Sequence, residues 1–354
     1  MKRIICLFLS FALWMSCFAF SVYANEGVDD ESGIVEALRA AESVKVQFEL
    51  SSVDFENLTT SDHIFAYEYT NTGCVYNSEF IPIKYENELV GWVIKTAFDG
   101  ECFYQFTTAF VTEVNDNLDL LDEFAVIYDK QASYLYNGAD LIKLGDTAIT
   151  IDTRAEVSEG NLVDAPIVLN NIDANYRLEY TTYMPSNRTS SVVSCNVNFV
   201  SQNPPSCLCW AASTACIVNY LQRTNYDANI IAMGWLGTTN YNQTLDPGLE
   251  DDVLARYGVY YTHRFQRPSE SVIRNNIANG YPILATFDVG GEDYQYHDVV
   301  IYGINTTEHH LYVMDPEYGF AVASPTTYGT HYYISVFTGK PLILDYATCK
   351  YWTS

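Results

Sequence analysis

The chain has 354 residues, 48% of them hydrophobic, and carries 44 acidic against 18 basic side chains for a net charge of −26. That length exceeds the roughly 100–200 residues of a single domain, so two domains are expected. The charge opposes binding to nucleic acid or to an anionic membrane surface, and a chain with 29 Tyr and only 18 Lys plus Arg fits a β-rich protein facing outward from the cell.

The first 24 residues have the layout of a secretory signal peptide: basic "MKR", the apolar run "IICLFLSFALWMSCFAF", then small Val22 and Ala24 before Asn25. An uncleaved anchor fits less well because the run is short for a bilayer span. A lipoprotein site at Cys17 fits less well because Trp14 and Met15 are bulky. A secreted or cell-surface location follows, with no membrane contact beyond the signal. Seven cysteines come after it: Cys74, Cys102, Cys195, Cys207, Cys209, Cys216 and Cys349. An odd number in an exported protein leaves at least one thiol unpaired.

Charge divides the remainder. Residues 25–189 carry a net −21 and residues 190–354 a net −7, which marks two units. We place an acidic N-terminal domain at 25–165, a connector at 166–194 and a second domain at 195–354. The first opens with "DESGIVEALRAAES", where Ile34, Val35, Leu38 and Ala41 make a helical stripe and Asp30 or Ser32 is a candidate cap. Strand-like runs follow: "HIFAYEYT", "EFIPIKYE", "LVGWVIKTAF", "CFYQFTTAFVTEV", "FAVIYDK" and "ASYLYN", with "ENE" and "DG" as turns. A helix packed on an antiparallel sheet is expected. Cys74 and Cys102 either pair or stay buried. The connector contains polar, proline-marked "YMPSNRTSSVVS", a protease-sensitive boundary.

The second unit has a clear helix from about Cys209 to Leu221. Pro204 and Pro205 prevent an earlier start, and Ser206 is a candidate cap. A second helix is expected near Pro268 to Ala278. The strands "ILATFDV", "DVVIYGIN", "HLYVMDP", "AVASP" and "YYISVFTG" come after it, an α+β order.

A reactive thiol needs a lowered pKa, a base within reach and donors for an oxyanion. Cys209 sits where a helix begins, and the partial positive charge there favours thiolate. Small Ala211, Ala212 and Ser213 let that helix pack closely. Gln202, seven positions upstream, can bring its amide over the thiol and form an oxyanion pocket with the Cys209 N–H. Among six histidines, His297 alone stands at the mouth of a buried strand, and Asp315 ends the next strand 18 residues on. A hairpin turning near Thr306 sets the two opposite each other on one face, so that Asp315 holds the second imidazole nitrogen. Asp298 competes by proximity, but adjacent strand residues point to opposite faces. Cys207 competes as nucleophile, or pairs with Cys195 or Cys349, or is a plain buried thiol; Cys216 reads as core. "CLC" is too tightly spaced for a zinc knuckle.

The order Gln202, "CWAAS" on a helix, "HDVVIYG" around His297 and "MDPEYG" around Asp315 resembles the papain-like cysteine peptidases. The compact bacterial type, similar to staphopain-like and bacteriocin-processing peptidases, is the nearest in pattern. The resemblance covers residues 195 to about 340. It implies a papain-like fold in which a helix carrying Cys packs on an antiparallel sheet carrying His and Asp. It also implies peptide hydrolysis through a Cys209 acyl-enzyme, with His297 as base and acid, Asp315 orienting it, Gln202 holding the oxyanion, and no cofactor or metal. Papain has one residue fewer between Gln and Cys, so the Gln202 loop has one to absorb. By the same resemblance the first unit is a helix-on-sheet propeptide, an intramolecular inhibitor of a zymogen that is removed between about 165 and 195. Two alternatives stay open: other acyl chemistry on this scaffold (amidase, transglutaminase or cell-wall amide hydrolase), and an inactive secreted binding protein.

Overall fold

A computed structural model describes residues 30–146 and 192–353, except 62, 71–72, 99–100, 116–124, 129–131, 137–140, 204–205, 240, 289–295, 327–328 and 337. The signal peptide at 1–24 and most of the connector, 166–191, lie outside the described residues, as do the proposed cleavage points within it. Among the described residues no helix is long and apolar enough to cross a membrane. The architecture is mixed helix and sheet, α+β, with predominantly antiparallel pairing in two separate sheets.

The first sheet follows helix α1 (Asp30–Ser43). Its strands are β1 (Leu58–Thr60), β2 (Ile64–Thr70), β3 (Gly73–Tyr85), β4 (Glu88–Phe98), β5 (Glu101–Thr107), β6 (Ala125–Tyr128), β7 (Ala132–Tyr136) and β8 (Leu141–Asp146), with helix α2 (Val111–Asn115) between β5 and β6. Their order across the sheet is β5-β4-β3-β2-β6-β7-β8, with β1 on β3. Ile34, Leu38 and Ala41 of α1 are buried in a core with Ile81, Ile83, Val93, Tyr104 and Phe106. Alternation sends Phe80, Trp92, Ile94 and Phe103 into a second apolar layer on the other side.

Two expectations need correction here. The run through "CFYQFTTAFVTEV" is not one strand: Thr107 Oγ1 accepts a hydrogen bond from Ala109 N (3.1 Å), Phe110 adopts φ 62°, and the chain turns into α2. The sheet is not wholly antiparallel either. That detour returns β6 parallel to β2, with Ala66 against Val126; a parallel partner requires such a crossover rather than a hairpin.

The second unit holds β9 (Val192–Ser194), α3 (Cys209–Gln222), α4 (Ala228–Leu236), α5 (Glu250–Arg256), β10 (Thr262–Arg264) and α6 (Glu270–Ala278). Strands β11 (Ile283–Asp288), β12 (Tyr296–Asn305), β13 (His310–Asp315), β14 (Gly319–Pro325), β15 (His331–Ile334) and β16 (Pro341–Cys349) complete it. Strands β11 to β16 pair in succession, and β16 also pairs with both β15 and β11, closing a six-stranded antiparallel barrel. Phe287 and Tyr333 meet inside at 5.0 Å between ring centres.

Helix α3 packs on α4 through Ala211, Ala212, Ala215, Ala228, Ile231 and Ala232, with Trp210 buried among them. Small side chains bring the two backbones close. The expected cap is corrected: Leu208, not Ser206, occupies the N-cap position, and no side chain caps the helix. Ser206 instead donates its hydroxyl to Gln202 O. The first-turn N–H groups of α3 are therefore left for another acceptor.

Candidate active site

His297 stands at the second position of β12 and Asp315 at the end of β13, so both lie at one rim of the barrel. His297 Nε2 donates to Asp315 Oδ1 at 2.8 Å. The register differs from the expected one. Asn305 pairs with His310, and a bulge between Ile301 and Gly303 shifts the ladder so that Val300 pairs with Met314. His297 and Asp315 are thus diagonal neighbours on one face rather than directly opposed, still within reach of a long side chain. The turn is longer than expected because Asn305 Oδ1 accepts from Thr307 N and Glu308 N, moving its centre beyond Thr306.

Asp315 is fully buried and its oxygens are committed. Oδ1 also accepts from Glu317 N (2.8 Å), and Oδ2 accepts from the Tyr333 hydroxyl (2.6 Å). His297 is buried as well, which by itself opposes charging. The Asp315 carboxylate, its hydrogen bond and a hydrogen bond with Cys209 prevail and hold the imidazole pKa well above its ordinary value. With Nε2 committed to Asp315, Nδ1 is the nitrogen left for Cys209. Cys209 itself is half-buried at the first turn of α3. The structure therefore brings Cys209, His297 and Asp315 into one connected line.

Gln202 is tied to this group from behind. Its N–H donates to Pro316 O (2.9 Å), next to Asp315, and its Nε2 donates to Ser206 O (3.0 Å). Asn203 takes φ 56°, and the Ser206 hydroxyl donates back to Gln202 O. Gln202 Oε1 is buried without a hydrogen-bond partner. Cys207 lies outside the line; its backbone N–H goes to Asn242 Oδ1 (2.9 Å). Cys195 and Cys349, offered as its disulfide partners, are buried thiols, and Cys74 and Cys102 are half-buried ones.

His297, Asp315 and Glu317 could each turn one ligand atom toward a cation, all within 4.8 Å of one another. Three hydrogen bonds already occupy the Asp315 oxygens, an arrangement suited to holding a proton on His297 rather than a metal.

Sequence reasoning missed several residues of this region. Tyr333 lies in the run "YYISVFTG", where alternation marks an inward face but not what it meets. Ser213, one turn after Cys209, donates to Asp298 O (2.8 Å) and so ties the Cys209 helix to the strand position after His297. Asp298 itself turns away from Cys209. Its carboxylate accepts from Thr286 Oγ1 (2.6 Å), and burial, with the neighbouring Glu250 charge, pushes its pKa up to about 7. Glu250 is in turn paired with His263 Nδ1 at 2.9 Å.

A thiol at a helix start, met by a buried His–Asp pair on a barrel rim, is similar to the arrangement of the papain-like cysteine peptidases. Residues 194–335, less than half of the chain, match the Peptidase_C39 like family. That match supports a peptidase of this general kind in the second unit. A search of curated proteins returned no match.

Proposed function

We propose that the chain is an exported precursor of a cysteine endopeptidase acting on polypeptides. The observation that carries this reading is the connected line Cys209–His297–Asp315. His297 Nδ1 takes the thiol proton, and Cys209 Sγ attacks the carbonyl carbon of a peptide. The Cys209 N–H, at the uncapped start of α3, and the Gln202 amide hold the oxyanion. His297 then gives its proton to the leaving amine as the C–N bond breaks, leaving a thioester. Water, losing a proton to His297, attacks that thioester; the C–S bond breaks and the acid product leaves. Asp315 keeps the imidazole oriented throughout. The first unit folds with the second and restrains it until the connector at 166–194 is cut.

The test is labelling with a peptidyl epoxide. We expect mass spectrometry to find one adduct on Cys209, formed faster once the connector is cut. Adduct on Cys207 would move the nucleophile, and none on either would sink the peptidase reading.

Ser213 is expected to act as a positioning residue. Removing a buried donor from Asp298 O leaves that carbonyl unsatisfied at a cost of about 1–3 kcal/mol and loosens the Cys209–His297 alignment. Ser213→Ala should lower kcat about tenfold with KM nearly unchanged, and Ser213→Cys, isosteric with a weaker donor, should lose less. A fall in stability with kcat intact would make the bond structural only.

A further inference from the structure

The turn between β15 and β16, residues 335–340, leaves the barrel at the same rim as His297 and Asp315, because β13 ends there, β14 starts there and antiparallel β15 ends there. This turn is embedded in the first unit. Val336 is fully buried and shares one apolar core with Ile64, Phe80, Trp92, Phe103 and Leu135, together with Tyr332 and Ile334 of β15. The Phe103 and Tyr332 rings meet in a tilted contact with centres 4.1 Å apart. Gly339, at φ +63°, presses against Asn77, Ser78 and Tyr128 where no side chain fits. Asn77 Nδ2 donates to Thr338 O (2.9 Å), and Lys340 pairs with Glu68 (3.0 Å).

The contact reaches toward the site. Gln105 of β5, buried, accepts from Ile334 N through Oε1 and lies beside Tyr318. Ile334 follows Tyr333, whose hydroxyl holds Asp315 Oδ2, and the Tyr318 hydroxyl donates to Ile334 O (3.2 Å). One side chain of the first unit thus fixes the short strand end that carries the Asp315 support.

We propose that the first unit is a lasting subunit of the peptidase: after the connector is cut it stays docked on the β15–β16 turn, and Gln105 braces the rim that positions Asp315. Releasing it would expose Val336, Ile334 and Tyr332 on one side and the Phe80–Trp92–Phe103 layer on the other, apolar surface that water disfavours. Maturation is then a nick rather than a release. Its meaning for activity rests on the peptidase reading above, whereas the docking itself does not.

The experiment uses the chain from residue 25 to 354, carrying Cys209→Ala to prevent self-cutting and a site-specific protease sequence inserted between Asn170 and Asn171. After cleavage we expect both fragments to co-elute in size exclusion at about 1 µM, as a stable core-forming interface does, with native mass spectrometry giving their sum. Separation at that concentration, whether or not the second fragment stays soluble, overturns the proposal. Gly339→Val, which forces a side chain into the contact, should weaken the association about tenfold or more. In the Cys209 enzyme, Gln105→Leu should lower kcat several-fold with KM held, and Gln105→Glu, which keeps the acceptor, should restore most of it. Equal rates in all three would remove the bracing role. Co-elution of the Cys209→Ala fragments, with no peptidase activity in the nicked chain that retains Cys209, would leave the docking standing and overturn only the peptidase reading.

Discussion

Replacing Cys209 with Ala is expected to reduce peptide hydrolysis by on the order of 10⁴-fold or more, since the step that forms the acyl-enzyme has no other nucleophile in line with His297. The fold should survive. Cys209 is half-buried at a helix start, Ala is a good helix former, and the lost contacts cost under about 1 kcal/mol. Cys207→Ala is the matched control. It lies two residues away, but its backbone is turned to Asn242, so activity should stay within a few-fold of the parent. Hydrolysis of a peptide substrate and thermal unfolding, measured on both variants, decide the matter. Loss of activity in Cys207→Ala with retention in Cys209→Ala would exchange their roles.

Asp315→Ala should be the most destabilising single change at the site. It leaves a buried imidazole without its counter-charge, and it strips the acceptor from Glu317 N and from the Tyr333 hydroxyl. Breaking one partner of a buried pair of this type costs on the order of 3–5 kcal/mol. Asp315→Asn keeps the shape and loses the charge, and so separates orientation from electrostatics. In the parent, the carboxylate outweighs burial and raises the His297 pKa. The stability this contributes is fully present below about 6.5, the ordinary imidazole value, and is lost as pH rises through the raised folded value. In Asp315→Asn, burial is opposed by Cys209 alone and the His297 pKa falls. The basic limb of the activity profile should therefore move to lower pH, and the stability gained on acidification through that range should disappear. Unfolding midpoints and kcat/KM measured across pH 5 to 9 read both. An unmoved basic limb would show that Asp315 does not set the charge on His297.

The local elements were legible where one side chain period dominates. The stripe Ile34, Leu38, Ala41 marks α1, and α3 begins at Cys209 because two prolines forbid an earlier start. The candidate site residues were legible as positions because each sits at the end of such an element: Cys209 at a helix start, His297 and Asp315 at strand ends. Helices α4 and α5 escaped notice because "ANIIAMGWL" is apolar on most sides and "EDDVLAR" is barely two turns, so neither has a readable stripe. The hairpin register was misplaced for a similar reason, since the Asn305 turn and the bulge after Ile301 are backbone events with little trace in hydrophobic pattern.

By itself the amino-acid sequence determined the periodic elements, the helix carrying Cys209 and the face shared by His297 and Asp315, because these follow from dihedral preference and the alternation of side chains over a few residues. Only the tertiary structure decided the closure of β16 onto both β11 and β15, the Tyr333 hydroxyl that holds Asp315, and the burial of Val336 in the first unit. Those are contacts between residues up to hundreds of positions apart. Their energy comes from surfaces fitting one another, and no short stretch of chain carries that information.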